Sequence, residues 1–114
     1  MTTYQGSCHC GGVRFQFESG PITKGVRCNC SICIRRGAVM SADYIRELEV
    51  AARETLALYQ WGDRDMKHFF CRVCGIFPFS EVAAKPGVYR VNLGCVDGID
   101  PLALEIALID GRAY

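Results

Sequence analysis

The chain is predicted to form a small, mainly β domain, a zinc-stapled β fold with short helical segments, and three observations predict it. Apolar and polar residues alternate over several short stretches, as in half-buried strands. Eight cysteines include two close pairs and a close triplet. A length of 114 residues suits one domain over 1–114. A domain of this size buries only about two-thirds of its unfolded surface, so a metal staple supplies stability that the core lacks. With 50% apolar and 22% charged residues, the composition is that of an ordered globular chain.

The elements follow in order. "GVRFQFES" sets Val13, Phe15 and Phe17 against Arg14, Gln16 and Glu18, the period-2 pattern of a strand. "SICIRRGA" has room for about two helical turns, with Ser31 as N-cap and Gly37 as the stop. "YIRELEVAARETL" carries helix-forming residues yet leads into a strand-like run, and reads as mixed strand and short helix. "TLALYQW" and "MKHFFC" are two strands joined by the polar turn "GDRD", with Gly62-Asp63 as its signal. "VYRVNLGCV" is a further strand, ended by "DGIDP", and "LALEIALID", closed by Gly111, is the last. The expected architecture is a small open or folded-over sheet with metal sites at its edges.

Charge and patterning exclude some functions. Thirteen Lys and Arg against twelve Asp and Glu give a net charge of +1, and Arg35-Arg36 is the only adjacent basic pair. A nucleic-acid partner needs a strongly basic face, because phosphate neutralisation supplies most of the affinity. "MTTYQGSCHCGG" lacks the charged start and apolar run of a secretory signal, and no stretch approaches the roughly 20 apolar residues of a membrane span. A cytoplasmic location is therefore expected. In a reducing cytosol, close cysteine clusters bind metal, with disulfides as the alternative.

Cys8 and Cys10, spaced i and i+2, point to one face of a strand, and Gly11 and Gly12 let the backbone approach. "CRVCG" is a knuckle in which Cys71 and Cys74 flank a tight turn ended by Gly75. Each pair supplies half of a tetrahedral site, so Cys8, Cys10, Cys71 and Cys74 are expected to form a closed structural zinc site. The triplet Cys28, Cys30 and Cys33 then remains. Structural zinc takes four protein ligands, whereas catalytic zinc takes three and leaves a position open. The triplet is accordingly expected to be a reactive zinc site; closure by Cys95 or His9 is the alternative. On strand alternation His9 points away from its neighbouring cysteines, and His68, three residues before Cys71, lies on the opposite strand face, so neither is expected to bind metal.

"GSCHCGGVRF", "CNCSIC", "HFFCRVCGIFPFS" and "YRVNLGCVDGID", in this order, resemble the glutathione-dependent formaldehyde-activating enzyme family, also called the centromere-protein-V-like family. The resemblance implies an Mss4-like, β-rich, tent-like fold with two zinc positions. It makes Cys8, Cys10, Cys71 and Cys74 structural ligands, and Cys28, Cys30 and Cys33 ligands of a catalytic zinc. The implied activity is a carbon-sulfur lyase joining glutathione, or another small thiol, to formaldehyde or another small carbonyl compound, or the reverse. Name-giving members carry histidine where this chain has Asn29, which does not titrate near neutral pH, so no proton-transfer role falls to that side chain.

Three thiolates already outweigh the charge of a zinc ion, which favours thiolate exchange over carbonyl activation. Arg35 and Arg36 are placed either to steer a substrate carboxylate or as solvated surface arginines. A non-catalytic, zinc-stapled binding module is the alternative function, since fold alone does not settle activity.

Overall fold

A computed structural model describes residues 1–62 and 64–111. Eleven strands appear among them: β1 (Thr2–Ser7), β2 (Arg14–Ser19), β3 (Lys24–Cys28), β4 (Met40–Ser41), β5 (Ile45–Arg46), β6 (Glu49–Ala52), β7 (Leu56–Tyr59), β8 (Met66–Cys71), β9 (Phe79–Val82), β10 (Val88–Val91) and β11 (Glu105–Ile109). One α-helix, α1 (Ser31–Arg36), and two 3₁₀ turns complete the described elements. The fold is mainly β, as the alternating stretches predict. No helix among the described residues is long and apolar enough to cross a membrane.

The strands form three sheets, in the orders β1-β2-β6, β5-β10-β9-β8-β7 and β11-β3-β4. All pairings are antiparallel except β11 with β3, which run parallel and place Ile109 opposite Cys28. Period-2 alternation puts Phe15 and Phe17 of β2 inward at 2% exposure each, while Arg14 and Glu18 face solvent. Phe79 of β9 meets Phe15 edge-on at 5.4 Å and Tyr89 of β10 edge-on at 5.7 Å, joining the first two sheets. Val91, Leu93 and Val96 fill the same core, and Val39 and Leu104, next to strands of the third sheet, pack against it.

Three local expectations are corrected. The helix begins one residue earlier than Ser31 implied: Cys30 is the N-cap and makes no side-chain capping bond, while Gly37 closes the helix at φ 67°. The segment "YIRELEVAARETL" contains no helix. β5 and β6 are drawn out of it by pairing with β10 and β2, and tertiary ladders outweigh helix propensity there. In "VYRVNLGCV" the strand stops at Val91, because the Asn92 side chain accepts the Gly94 N–H at 3.1 Å and starts a 3₁₀ turn over Leu93–Cys95. The β7 to β8 hairpin forms as expected, with Leu56 opposite Cys71 and Gly62 at φ 58°; Asp63 lies outside the described residues.

Candidate metal centre

Cys8 follows the end of β1 and Cys71 closes β8, two strands from different sheets. Cys8 and Cys10 converge through a turn rather than along a strand: the Cys8 carbonyl accepts the Gly11 N–H at 3.3 Å, which swings both sulfurs to one side. Gly12 is required here, since a Cβ would stand 2.6 Å from Thr55 Oγ1 and 3.3 Å from Cys10 Sγ. Opposite it, the Cys71 carbonyl accepts the Gly75 N–H at 2.7 Å, forming the expected knuckle.

The four sulfurs of Cys8, Cys10, Cys71 and Cys74 lie within 4.8 Å of one another. Cys8 Sγ stands 3.7 Å from Cys10 Sγ, which stands 3.6 Å from Cys71 Sγ. With metal–sulfur bonds of about 2.3 Å, a tetrahedral zinc site has sulfur–sulfur edges of about 3.8 Å. The donor set therefore fits that ion in both size and softness. All eight cysteines are free thiols.

Hydrogen bonds already distribute charge within the cluster. The Thr55 hydroxyl at 3.2 Å, aided by backbone N–H groups of the knuckle, pulls the Cys71 thiol down to about 6. Cys74 is also lowered, first by the Ile76 N–H. Cys10 accepts the Gly12 N–H, which favours its thiolate, but hydrogen bonding to Cys71, desolvation and the other two thiols outweigh this and push it up to about 11. Four crowded thiols cannot all be anionic without a cation among them.

The triplet is assembled from the end of β3 and the start of α1. Its three sulfurs also lie within 4.8 Å of one another, and no fourth Cys, His, Asp or Glu among the described residues joins the group. The Cys30 N–H donates to Cys28 Sγ at 3.4 Å. Hydrogen bonds from the Cys33 N–H and from the Cys33 and Cys28 thiols lower Cys30, although burial acts the other way. Burial, then hydrogen bonding to Cys30, pushes Cys33 up to about 12. Three converging soft donors fit a zinc ion and leave one tetrahedral position that no Cys, His, Asp or Glu among the described residues fills.

Neither proposed closing residue joins the triplet. His9 is exposed and outside both clusters. Cys95 stands beside the four-cysteine cluster, where burial and the nearby Cys8 and Cys74 raise its thiol to about 11, and its Sγ faces the Phe77 carbonyl at 3.8 Å. Asn29, the unusual residue inside the triplet, has a structural partner: its Oδ1 accepts the Gly111 N–H at 2.7 Å, and its own N–H donates to Ile109 O at 3.2 Å.

The two arginines separate. Arg35 is exposed and folds back on its own helix, donating to Ser31 O at 2.6 Å. Arg36 is half-buried: Nη2 donates to Cys33 Sγ at 3.4 Å and Nη1 donates to His68 Nδ1 at 3.1 Å. Its guanidinium lies over the Phe77 ring, 3.6 Å from the centroid. His68 is only 8% exposed, and burial followed by the charge of Arg36 brings its imidazole down to about 4, so it is the neutral acceptor this contact requires.

Sequence reading overlooked Thr55, Phe77 and the role of His68. Arg36 was open to detection, since it stands three residues after Cys33 on a helix and shares its face. A hollow of about 660 Å³ between β2 and the β5 segment includes neither cysteine cluster. A smaller one of about 290 Å³ runs beside α1, lined by Ser31, Ile32, Arg35, Tyr59 and Trp61.

A crystal structure of a Rhodobacter sphaeroides protein is similar to this chain, with 36% identity and a TM-score of 0.78 over 90% of this chain and 99% of that one. Residues 3–108 match the family described as glutathione-dependent formaldehyde-activating enzyme. Nearly the whole chain, including both cysteine clusters, falls within that match, and the protein belongs to the glutathione-dependent formaldehyde-activating enzyme family.

Proposed function

We propose that the protein is a zinc-dependent carbon-sulfur lyase acting on the adduct of a small thiol and a small carbonyl compound, with glutathione and formaldehyde as the pair the family name suggests. The observation that carries this reading is the three-cysteine cluster, which no fourth Cys, His, Asp or Glu joins among the described residues. Cys28, Cys30 and Cys33 hold the reactive zinc, and Cys8, Cys10, Cys71 and Cys74 hold a structural one. Bound at the triplet, zinc supplies a position that takes a thiol as its thiolate, removing the proton cost of the nucleophile.

The chain's own groups supply orientation. Arg35, with Tyr59 and Trp61, lines the hollow beside α1 and meets a carboxylate of the thiol substrate there. Arg36 is half-buried and held by Cys33 and His68, so steering is assigned to Arg35. In the synthetic direction the substrate sulfur bonds to the carbonyl carbon, and the proton lost by the thiol ends on the new hydroxyl oxygen.

Calorimetric titration of the zinc-loaded protein with glutathione and with simpler thiols tests the reading. Saturable thiol binding that disappears in Cys30→Ser is expected. Absence of binding by every thiol in the series would leave the zinc-stapled binding module and overturn the lyase.

A further inference from the structure

We propose that Arg36 is a positioning residue of the triplet, seated by residues on either side of the Cys71–Cys74 knuckle, and that its hydrogen bond to Cys33 Sγ fixes that sulfur where a metal ligand must stand. The proposal rests on the reading of the triplet as a metal site. Three contacts fix the guanidinium: Cys33 Sγ takes one N–H, His68 Nδ1 takes another, and Phe77 covers a face, while Nε is buried with no hydrogen-bond partner among the described residues.

A buried donor without a partner is destabilising, and burying a cation is costly unless an anion stands beside it. With a metal bound at the triplet, the Cys33 sulfur that takes the Arg36 N–H would be that anion. Three thiolates around a divalent ion sum to one negative charge, which the guanidinium cancels within the same small volume. A histidine bearing a proton would repel Arg36 and withdraw its acceptor; the buried, neutral ring accepts through Nδ1 and so carries its proton on Nε2.

The seat belongs to a different part of the chain from the triplet. His68 lies on β8 just before Cys71, and Phe77 lies just beyond Cys74. The Phe77 carbonyl is itself held by Asn92 Nδ2 at 2.8 Å, and the Ile76 carbonyl accepts the Cys71 N–H at 2.9 Å. A side chain three residues beyond Cys33 on α1 is thus clamped by the segment that forms the knuckle. Removal of outer partners of this kind weakens metal binding by about 10- to 100-fold.

The test loads the full chain with cobalt and strips it with a chelator of known affinity, following the sulfur-to-cobalt charge-transfer bands. In the wild type, two equivalents leave in separable steps, and Cys30→Ser identifies the step belonging to the triplet. Arg36→Met is expected to weaken the triplet equivalent by about 10- to 100-fold and to alter its bands, with the four-cysteine equivalent unchanged. Arg36→Lys restores part of the loss, since it keeps the charge but not the planar fork. His68→Leu, which leaves Arg36 in place without its acceptor, shifts the triplet equivalent in the same direction and gives an independent result should Arg36→Met not fold. An unchanged triplet equivalent in folded Arg36→Met or His68→Leu overturns the proposal. A wild type that takes up only one equivalent overturns the triplet as a metal site, which is a different failure.

Discussion

Replacing Cys8 by serine separates the two clusters by their mechanical roles. Cys8 is 3% exposed, and its sulfur accepts the Val13 N–H at 3.3 Å, a bond that a serine oxygen also accepts. The substitution therefore removes a metal ligand while keeping local shape. The four-cysteine cluster ties residues 61 positions apart, as between Cys10 and Cys71. By analogy with a covalent crosslink, closing such a loop constrains the unfolded chain by about 4 kcal/mol, whereas the short Cys28 to Cys33 segment gives roughly 2 kcal/mol. For 114 residues, an unfolding entropy of about 2.1 cal/mol/K per residue converts 4 kcal/mol into a midpoint drop of about 17 °C. Scanning calorimetry with metal analysis is the assay. Cys8→Ser is expected to lose one metal and about 17 °C, and Cys30→Ser one metal and about half that shift. Equal shifts in the two variants would refute the division into structural and reactive sites.

Asn29→Ala removes the acceptor for the Gly111 N–H and should cost about 1 kcal/mol, with hydrogen exchange at Ile109 to Gly111 rising while the β8 amides stay protected. His68 titrates near 4 in the folded protein, below its ordinary 6.5, so between those values the unfolded chain binds the proton first and stability declines as pH falls from 6.5 towards 4. Denaturant unfolding across that window should give a shallower pH slope for His68→Gln, and an unchanged slope would remove His68 as the source.

The cysteine sets were legible because thiols crowded at these spacings match the spacing of metal ligands, a local feature of the sequence. β2, the β7 to β8 hairpin and the stop at Gly37 were legible because period and turn chemistry are local. β1, β3 and β9 carry no clean alternation and depend on partners distant in sequence. Glu49–Ala52 illustrates the opposite error, since residues with good helix propensity became an edge strand once β2 was available. The seat of Arg36 was not visible because Cys33, His68 and Phe77 approach one another only through the tertiary fold. Asn29 invited a chemical comparison with histidine, yet its side chain serves a backbone amide 82 positions away.

The parallel pairing of β11 with β3 bears on when each centre is assembled during synthesis. Cys74 completes the first set of four thiols, but the strand leading into the triplet acquires its second neighbour only once Ile109 has been made. At about 5 to 20 residues per second, translation separates these events by roughly two to seven seconds. A nascent chain thus passes through an interval in which all four thiols of one cluster have been made and the strand leading into the other still lacks its parallel neighbour.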